Sequence, residues 1–212
     1  PGDALPNDKI LIYEDTNGDG KADKETVFAD KLHLPIGFEF APEGVYVSQG
    51  KNMVLLKDTD GDGKADKKEV ILSGFDDHDT HHAHSVYTMD PSGAIYMAEG
   101  TFLHTNVETS YGPVRATNGG FFRYSPQNKR LERVAQVSIP NPWGIATDDW
   151  GQMIYSETSG PDVRWMLPGS MKPRYGESND KSFTLVDSLH RVRPTSGLEI
   201  VSSRHFPEEV QG

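Results

Sequence analysis

The feature that most constrains the fold is an internal repeat of a β-hairpin with an acidic turn. Residues 10–30 read ILIYEDTNGDGKADKETVFAD, and residues 53–73 read MVLLKDTDGDGKADKKEVILS. The two copies align with Asp15 on Asp58. In each copy, two β-rich runs flank a turn of Asp and Gly, which is the pattern of a hairpin with a long, structured turn.

A second kind of hairpin follows each copy of the first. It reads GFEFAPEGVYVSQG at 37–50, SVYTMDPSGAIYMAEG at 85–100 and GIATDDWGQMIYSET at 144–158, each with a Gly turn in the middle. Another hairpin of the first kind is expected at 120–137, where Pro, Gln and Asn replace the acidic turn. The repeating unit is therefore four short strands in roughly 43–58 residues, the size of a propeller blade.

These units predict an all-β fold, a β-propeller of four-stranded blades, with 1–212 as a single propeller segment. Blade-like units are expected at about 8–50, 51–100 and 118–158, with a partial unit at 162–212. Propellers have about 4–8 blades, so we expect an incomplete arc of three to four blades, closed by the rest of the propeller or by another chain. A β-sandwich is the alternative, but it does not require a repeated four-strand unit. Residues 101–119 are expected to be an insertion, and residues 159–182 a long loop.

The composition excludes several classes of protein. The formal net charge is −11 and no basic block interrupts it, which argues against nucleic-acid binding. No apolar run approaches the ~18 residues of a membrane span. The chain has no Cys, so disulfides, thiolate zinc sites, cysteine nucleophiles and a covalently attached c-type haem are excluded within it.

The two acidic turns have the spacing of calcium-binding loops, with oxygen ligands alternating around a Gly bend. The candidate ligands are Asp15, Asn17, Asp19, Lys21 and Asp23 in the first loop and Asp58, Asp60, Asp62, Lys64, Asp66 and Glu69 in the second, each Lys through its backbone carbonyl. The alternative is that Asp, Asn and Gly are only good turn formers. Carboxylates that converge within nine residues repel one another, however, and a cation removes that cost. We expect two structural Ca²⁺ sites.

Four of the eight His residues fall between positions 78 and 84, directly before the expected inner strand 85–89. In a propeller, the loop that enters the inner strand lies near the central channel, where a His can act as a general base, a metal ligand or a cofactor contact. In an extended segment, His82 and His84 would face one side and His81 the other. The alternative is a set of hydrogen-bonded His residues with a structural role.

The chain resembles the propeller family of membrane-bound dehydrogenases found in large bacterial multidomain proteins, which is similar to the soluble quinoprotein glucose and sorbosone dehydrogenases. The resemblance rests on ILIYEDTNGDGKAD, the second DTDGDGKAD, DTHHAHSVYTMDPSGAIYMAEG, GGFFRYSP, NPWGIATDDWGQ and RPTSGLEIVSSRHFPEEVQG, and it covers nearly the whole chain. It implies a propeller of six or seven blades when complete, and a periplasmic or cell-surface location. It also implies a haem c domain or cytochrome as an electron-accepting partner.

The resemblance also implies site residues. Alignment on Asp90-Pro91-Ser92-Gly93 makes His82 the catalytic base that takes the proton of a sugar or alcohol hydroxyl, while hydride passes to pyrroloquinoline quinone (PQQ). Asn141 corresponds to a residue near the quinone, and Gly160 and Pro161 to a pair whose carbonyls hold an active-site Ca²⁺. Two positions depart from the pattern: an Arg that polarises the quinone is Pro140 here, and an Asp that pairs with the His is Thr101.

Three functions follow as alternatives. The first is an extracytoplasmic, calcium-binding oxidoreductase like a sugar or alcohol dehydrogenase, with PQQ as its cofactor. The second is a non-catalytic, calcium-stabilised propeller that binds a glycan or protein, or organises a larger complex. The third is a lactonase-like hydrolase with a Ca²⁺ ion in the channel.

Overall fold

The structure is a computed structural model, and it describes residues 5–160, 162–170, 172–187 and 194–211. Short antiparallel strands dominate the described residues. They are β1 (Asp8–Glu14), β2 (Lys24–Leu32), β3 (Phe38–Ala41), β4 (Gly44–Gln49), β5 (Asn52–Lys57), β6 (Lys67–Ser73), β7 (Ser85–Met89), β8 (Ile95–Glu99), β9 (His104–Thr109), β10 (Gly112–Thr117), β11 (Gly120–Ser125), β12 (Arg130–Ala135), β13 (Pro142–Thr147), β14 (Met153–Glu157) and β15 (Asp162–Trp165). Two 3₁₀ turns cover Thr80–His82 and Glu208–Val210. Among the described residues, no helix has the length and apolar character needed to cross a bilayer.

Three larger sheets form the body of the molecule. The first has the order β3-β4-β5-β6, the second β7-β8-β11-β12 and the third β13-β14-β15. Neighbouring strands in each sheet are antiparallel. Strands β1 and β2 form a separate hairpin beside the first sheet. The first strands of the three sheets lie together, with β7 in contact with both β3 and β13.

The hydrophobic core lies between the sheets, as it does in a propeller. Strand β8 shows why, because all five of its residues are buried and its side chains alternate between two faces. Ile95 and Met97 pack against the first sheet, with Tyr46 and Leu55. Tyr96 and Ala98 pack on the opposite side, in a cluster with residues of the third sheet. A strand buried on both faces needs a sheet on each side, so successive sheets stack face to face.

The hairpins expected from the repeats are all present. The acidic turns join β1 to β2 and β5 to β6, which are outer hairpins, and β11–β12 is the outer hairpin without acidic residues. The inner hairpins are β3–β4, β7–β8 and β13–β14. An Asp carboxylate caps two of their turns, those of β7–β8 and β13–β14. Oδ1 of Asp90 accepts a hydrogen bond from the backbone N–H of Ser92 (2.8 Å), and Asp148 does the same for Trp150 (3.0 Å) and Gln152 (2.8 Å).

The sheets divide the chain differently from the expected units. The first two sheets each join an inner hairpin to the outer hairpin that follows it, and the third joins an inner hairpin to β15, so the boundaries fall at 38–73, 85–135 and 142–165. The repeat predicts the length of a unit but not where along the chain each sheet begins. That starting point depends on which hairpins pair through backbone hydrogen bonds. The insertion at 101–119 is itself structured, since it contains the hairpin β9–β10.

Candidate functional site at the channel mouth

His82 and Asn141 occupy corresponding positions in neighbouring sheets. His82 lies just before β7, and its backbone carbonyl accepts a hydrogen bond from the N–H of Gly100, directly after β8 (2.9 Å). Asn141 lies directly before β13, and its carbonyl accepts from Thr158, directly after β14 (3.0 Å). The same backbone closure therefore brings both side chains to the end of the molecule where the first strands begin.

The two side chains are in contact. Nε2 of His82 lies 2.6 Å from Oδ1 of Asn141, and Nδ2 of Asn141 donates to Oγ of Ser159 (2.7 Å). The sequence predicted that His82 and Asn141 belong to one site, and the structure places them together. The chemistry of that site stays a prediction at this point.

Asp79 completes the cluster, and sequence reasoning missed its role. Residues Thr80–His82 form a single 3₁₀ turn, so positions 79 and 82 share one face. Oδ2 of Asp79 lies 3.0 Å from Nδ1 of His82, and its Oδ1 lies 2.8 Å from Nδ1 of His81. Residues 81 and 82 therefore belong to this turn and not to an extended segment. The i, i+3 spacing of Asp79 and His82 was the available signal.

Burial separates the two imidazoles. His82 is 6% exposed, whereas the side chain of His81 is 62% exposed and its ring lies 3.9 Å from that of His82. Gly100 leaves room for the His82 ring, because a Cβ there would lie 2.8 Å from two ring carbons and 2.5 Å from the Pro140 carbonyl oxygen. The position requires Gly.

Gly160 is connected to the cluster by Glu157, which hydrogen-bonds both Gly160 and Asn141. The Glu157 carboxylate is buried and accepts hydrogen bonds from the backbone N–H groups of Asn141 (3.2 Å), Ser159 (2.9 Å) and Gly160. A Cβ on Gly160 would lie 2.8 Å from Oε2 of Glu157. This Gly is thus needed for the turn that orients Asn141. Pro161, the other half of the expected Gly-Pro pair, lies outside the described residues.

Glu99 is the counterpart of Glu157 in the neighbouring sheet, since it ends β8 as Glu157 ends β14. It is 1% exposed, and its Oε1 accepts from the hydroxyl of Thr105 (2.5 Å). Its Oε2 finds no hydrogen-bond partner in the part of the chain that the structure describes. Burial raises the pKa of Glu99 to about 8, against the Thr105 hydrogen bond and with a smaller contribution from the negative charge of Asp76.

His84 is a core residue and has no part in the cluster. Its Nε2 donates to the carbonyl of Gly50 (3.1 Å), so its Nδ1 accepts from the hydroxyl of Tyr87 (2.8 Å). Its ring stacks on Phe75 at 4.1 Å. Burial lowers the pKa of His84 to about 4, which keeps the ring neutral. Of the four clustered His residues, only His81 and His82 meet, because His78 is exposed and pairs with Asp76 (3.2 Å).

The two acidic loops share one geometry. Asp15 accepts hydrogen bonds from the backbone N–H groups of Gly18 (2.7 Å), Asp19 (3.2 Å) and Gly20 (2.8 Å). Asp58 accepts from the matching residues Gly61, Asp62 and Gly63 at 2.7, 3.2 and 2.8 Å. These backbone hydrogen bonds, above all the one from Gly20 to Asp15 and the one from Gly63 to Asp58, lower the pKa of each Asp carboxyl group.

The second loop gathers its carboxylates most closely. Oxygen atoms of Asp58, Asp60 and Asp66 all lie within 4.8 Å of one another. Asp66 also accepts from the Thr59 hydroxyl (2.6 Å), as Asp23 does from Thr16 (2.8 Å) in the first loop. The remaining predicted ligands, Asn17, Asp19, Lys21, Asp62 and Lys64, lie in the same turns, where Asn17 and both Asp side chains cap backbone N–H groups.

Glu69 lies apart from the second loop's carboxylate cluster. It stands on β6 opposite Leu55, and its Oε1 pairs with the ammonium groups of Lys57 (3.1 Å) and Lys67 (2.8 Å). A bidentate ligand from position 12, as in a helical calcium loop, requires the chain to turn back toward the ion. In this chain, β6 leads Glu69 away along the hairpin.

The antiparallel sheets stack face to face with their first strands together, and a polar site lies where these strands begin. This architecture defines the chain as part of a β-propeller. It belongs to the family described as a domain of unknown function, DUF7133, whose model matches residues 1–211. No curated protein matches the chain.

The solved structures that are similar to this chain include the following two. One is a luciferin-regenerating enzyme, with a TM-score of 0.50 and 17% identity over 79% of this chain and 51% of that protein. The other is a protein designated a gluconolactonase, with a TM-score of 0.51 and 13% identity over 82% of this chain and 56% of that protein. The chain thus spans about half the length of each. At such identities the likeness concerns the fold alone, and it confirms the propeller architecture, of which this chain forms an arc.

Proposed function

We propose that the chain is a calcium-stabilised β-propeller module of an extracytoplasmic protein, and that it serves binding or assembly within a larger complex. One observation carries the proposal: two acidic loops with the same hydrogen-bonding pattern join the outer strands of successive propeller units. A turn alone needs one capping carboxylate, as Asp148 illustrates. These loops each contain at least three.

The charge of the loops supports a cation. Backbone donors hold Asp15 and Asp58 in their ionised form, as the lowered pKa values indicate. Each ionised carboxylate then stands beside others in the same turn, so their repulsion persists at neutral pH. Oxygen ligands spaced around a Gly bend suit Ca²⁺, and exposed sites of this kind bind at about 10⁻⁴–10⁻³ M in extracellular modules.

Exposed aromatic side chains support a partner on the open side of the first sheet. Phe38 and Phe40 are 49% and 68% exposed, and their rings lie edge to face at 5.7 Å. Both point from the same face of β3, beside a hairpin, β1–β2, that has no inner strands of its own in the described residues. We infer that further propeller strands, from the rest of the ring or from another chain, cover this face.

Calcium removal tests the first proposal. Ca²⁺ at 1 mM is expected to raise the melting temperature by several degrees over the same protein in EGTA, because a ligand that binds only the folded state stabilises it. The double variant Asp15→Asn, Asp58→Asn is expected to lose this shift. Asp148→Asn is the matched control, since it changes a turn-capping Asp outside the loops. A melting temperature that EGTA leaves unchanged would refute the calcium sites.

The contact between His82 and Asn141 favours a second candidate, a dehydrogenase-like oxidoreductase acting on a sugar or alcohol. In this candidate, His82 takes the hydroxyl proton while hydride leaves for an acceptor. The family resemblance expects an Asp partner for the His at position 101, which is Thr here, and Asp79 would supply that carboxylate instead. Electrons would continue to a haem c domain or cytochrome.

The residues of the site do not fit PQQ. The cofactor is polyanionic, and the position of its Arg partner is Pro140, whose carbonyl accepts from the N–H of Thr101 (3.2 Å). Within the described residues, no Lys or Arg hydrogen-bonds or ion-pairs with Asp79, His82 or Asn141. The residues of the site therefore give no support to a reaction in which PQQ accepts the hydride.

Dye-linked oxidation of sugars and alcohols tests this second candidate. Calcium-loaded protein is assayed with and without added PQQ, beside His82→Gln and the control His78→Ala. Activity that His82→Gln abolishes and His78→Ala preserves would favour the oxidoreductase. Activity that survives in both variants would remove His82 as the base, and no turnover by the folded protein would leave the binding module as the function.

A further inference from the structure

Three side chains at the channel mouth point their ligand atoms at one another. One ring nitrogen of His81, one ring nitrogen of His82 and a carboxylate oxygen of Asp79 all lie within 4.8 Å of one another. The two imidazole–carboxylate distances are 2.8 and 3.0 Å. Nothing in the calcium proposal or in the dehydrogenase resemblance assigns a role to this trio.

The hydrogen bonds of His82 determine which nitrogen is available. In the amide orientation of the structure, Nδ2 of Asn141 donates to Ser159, so Oδ1 is the atom that faces His82. Oδ1 can only accept, and therefore Nε2 of His82 carries the hydrogen in their 2.6 Å contact. In the neutral ring, Nδ1 then carries a lone pair, 3.0 Å from Oδ2 of Asp79.

That arrangement is unfavourable without a cation. Nδ1 of His82 is buried, and its 3.0 Å approach to Asp79 lies outside hydrogen-bonding geometry. Within the described part of the chain, no other group pairs with this atom. Two acceptors this close repel, and a buried acceptor without a partner is costly. A positive ion between them would remove both costs.

We propose that Asp79, His81 and His82 form a binding site for a divalent transition-metal ion of the zinc class. Two imidazoles and one carboxylate suit such an ion, whereas Ca²⁺ prefers oxygen ligands. The bond from Nε2–H of His82 to the Asn141 carbonyl oxygen is the outer contact that orients a metal-binding His. His81 is exposed, so the fourth position is open to water or to a ligand.

The geometry requires only a small adjustment. Tetrahedral ligands with bonds of about 2.0–2.1 Å are about 3.3 Å apart. The observed 2.8 and 3.0 Å run to different oxygens of Asp79, so these distances would open by about 0.3–0.5 Å and the carboxylate would rotate to present its ligand oxygen to the ion. The exposed His81 side chain can supply this movement. The proposal does not depend on the calcium loops, which use other residues and other ligand atoms.

The test is Zn²⁺ titration by calorimetry of the full chain in 1 mM Ca²⁺, so that the acidic loops do not contribute. One Zn²⁺ per chain is expected for the unaltered protein. His81→Ala and Asp79→Asn are expected to bind at least about 10-fold more weakly. His78→Ala is the matched control, because it removes a neighbouring exposed His that pairs with Asp76, and it is expected to bind normally.

Cobalt provides a second readout. Co²⁺ is expected to give visible absorption bands of a tetrahedral site in the unaltered protein and in His78→Ala, and to lose them in His81→Ala. His81 is exposed, so its replacement does not endanger the fold; the melting temperature verifies this. Absence of stoichiometric Zn²⁺ binding by the folded protein, or equal affinity in His81→Ala and His78→Ala, would overturn the proposal. Failure of the calcium experiment would leave it intact.

Discussion

Replacing Glu99 with Gln is expected to remove most of a pH dependence from the stability of the protein. Glu99 is 1% exposed at the end of β8, where Thr105 supplies one hydrogen bond and Oε2 has no partner among the described residues. Burial raises the pKa of its carboxyl group to about 8 in the folded state. In the unfolded chain the pKa returns to about 4.5. The folded protein therefore keeps a proton that the unfolded chain releases between these values.

The sign and size follow from proton linkage. Between about pH 4.5 and 8 the folded state binds one more proton at this site, so the free energy of unfolding falls as the pH rises. Each pH unit is worth about 1.4 kcal/mol, which gives at most about 5 kcal/mol across the interval. The stabilisation is complete below pH 4.5 and is lost as the pH passes through 8. Gln is neutral and nearly isosteric, so Glu99→Gln lacks this term.

Urea unfolding at a series of pH values from 5 to 9 measures the difference. Near pH 5 the two proteins are expected to differ by less than about 1 kcal/mol, and above pH 8 Glu99→Gln is expected to be the more stable by several kcal/mol. Contributions from other groups cancel in the comparison. The ¹³C chemical shift of the Glu99 carboxyl group gives an independent midpoint, expected near pH 8.

Glu157→Gln is the matched control for position and burial. Glu157 ends β14 as Glu99 ends β8, but its oxygens accept three backbone N–H groups. Gln would place an NH₂ group against those donors, so this variant is expected to lose about 2 kcal/mol or more already at pH 5. Parallel stability curves for the unaltered protein and Glu99→Gln from pH 5 to 9 would refute the reasoning.

Two further substitutions test the packing around the site. Gly100→Ala places a Cβ 2.8 Å from the His82 ring and is expected to cost about 1–3 kcal/mol in urea unfolding, so a change below 0.5 kcal/mol would contradict the close approach. His84→Leu leaves the Gly50 carbonyl and the Tyr87 hydroxyl without their partner and is expected to cost about 2–4 kcal/mol, with a stability change near zero as the contradicting result.

The repeats predicted the strands and their pairing within hairpins, because hairpin formation is local and its turn chemistry is visible in the sequence. Asp90 with Gly93, and the Asp-Gly loops at Asp15 and Asp58, fix the turns wherever they occur. Which hairpins join to form one sheet was not predictable in this way. Strand β8 pairs with β11 across the intervening hairpin β9–β10, and this pairing depends on contacts between residues distant in sequence.

The site was predictable in part for the same reason. His82 was assigned to the channel end because its cluster precedes the expected inner strand, whereas Asn141 was assigned to the same site by the family resemblance alone. The role of Asp79 depends on a single 3₁₀ turn, which periodicity in the sequence did not indicate. The core role of His84 depends on Gly50 and Tyr87, and such a partner in another sheet has no signal in a single sequence.

Equivalent positions in the propeller thus acquire different chemistry from their neighbours. Glu99 and Glu157 share a place in the sheet, and His82 and Asn141 share another. Glu157 receives three backbone donors and orients Asn141, whereas Glu99 receives one hydroxyl and favours its neutral form. Because the backbone repeats, a single substitution at such a position changes charge or ligand type without changing geometry. The polar groups at the channel mouth can therefore diverge while the blades stay the same.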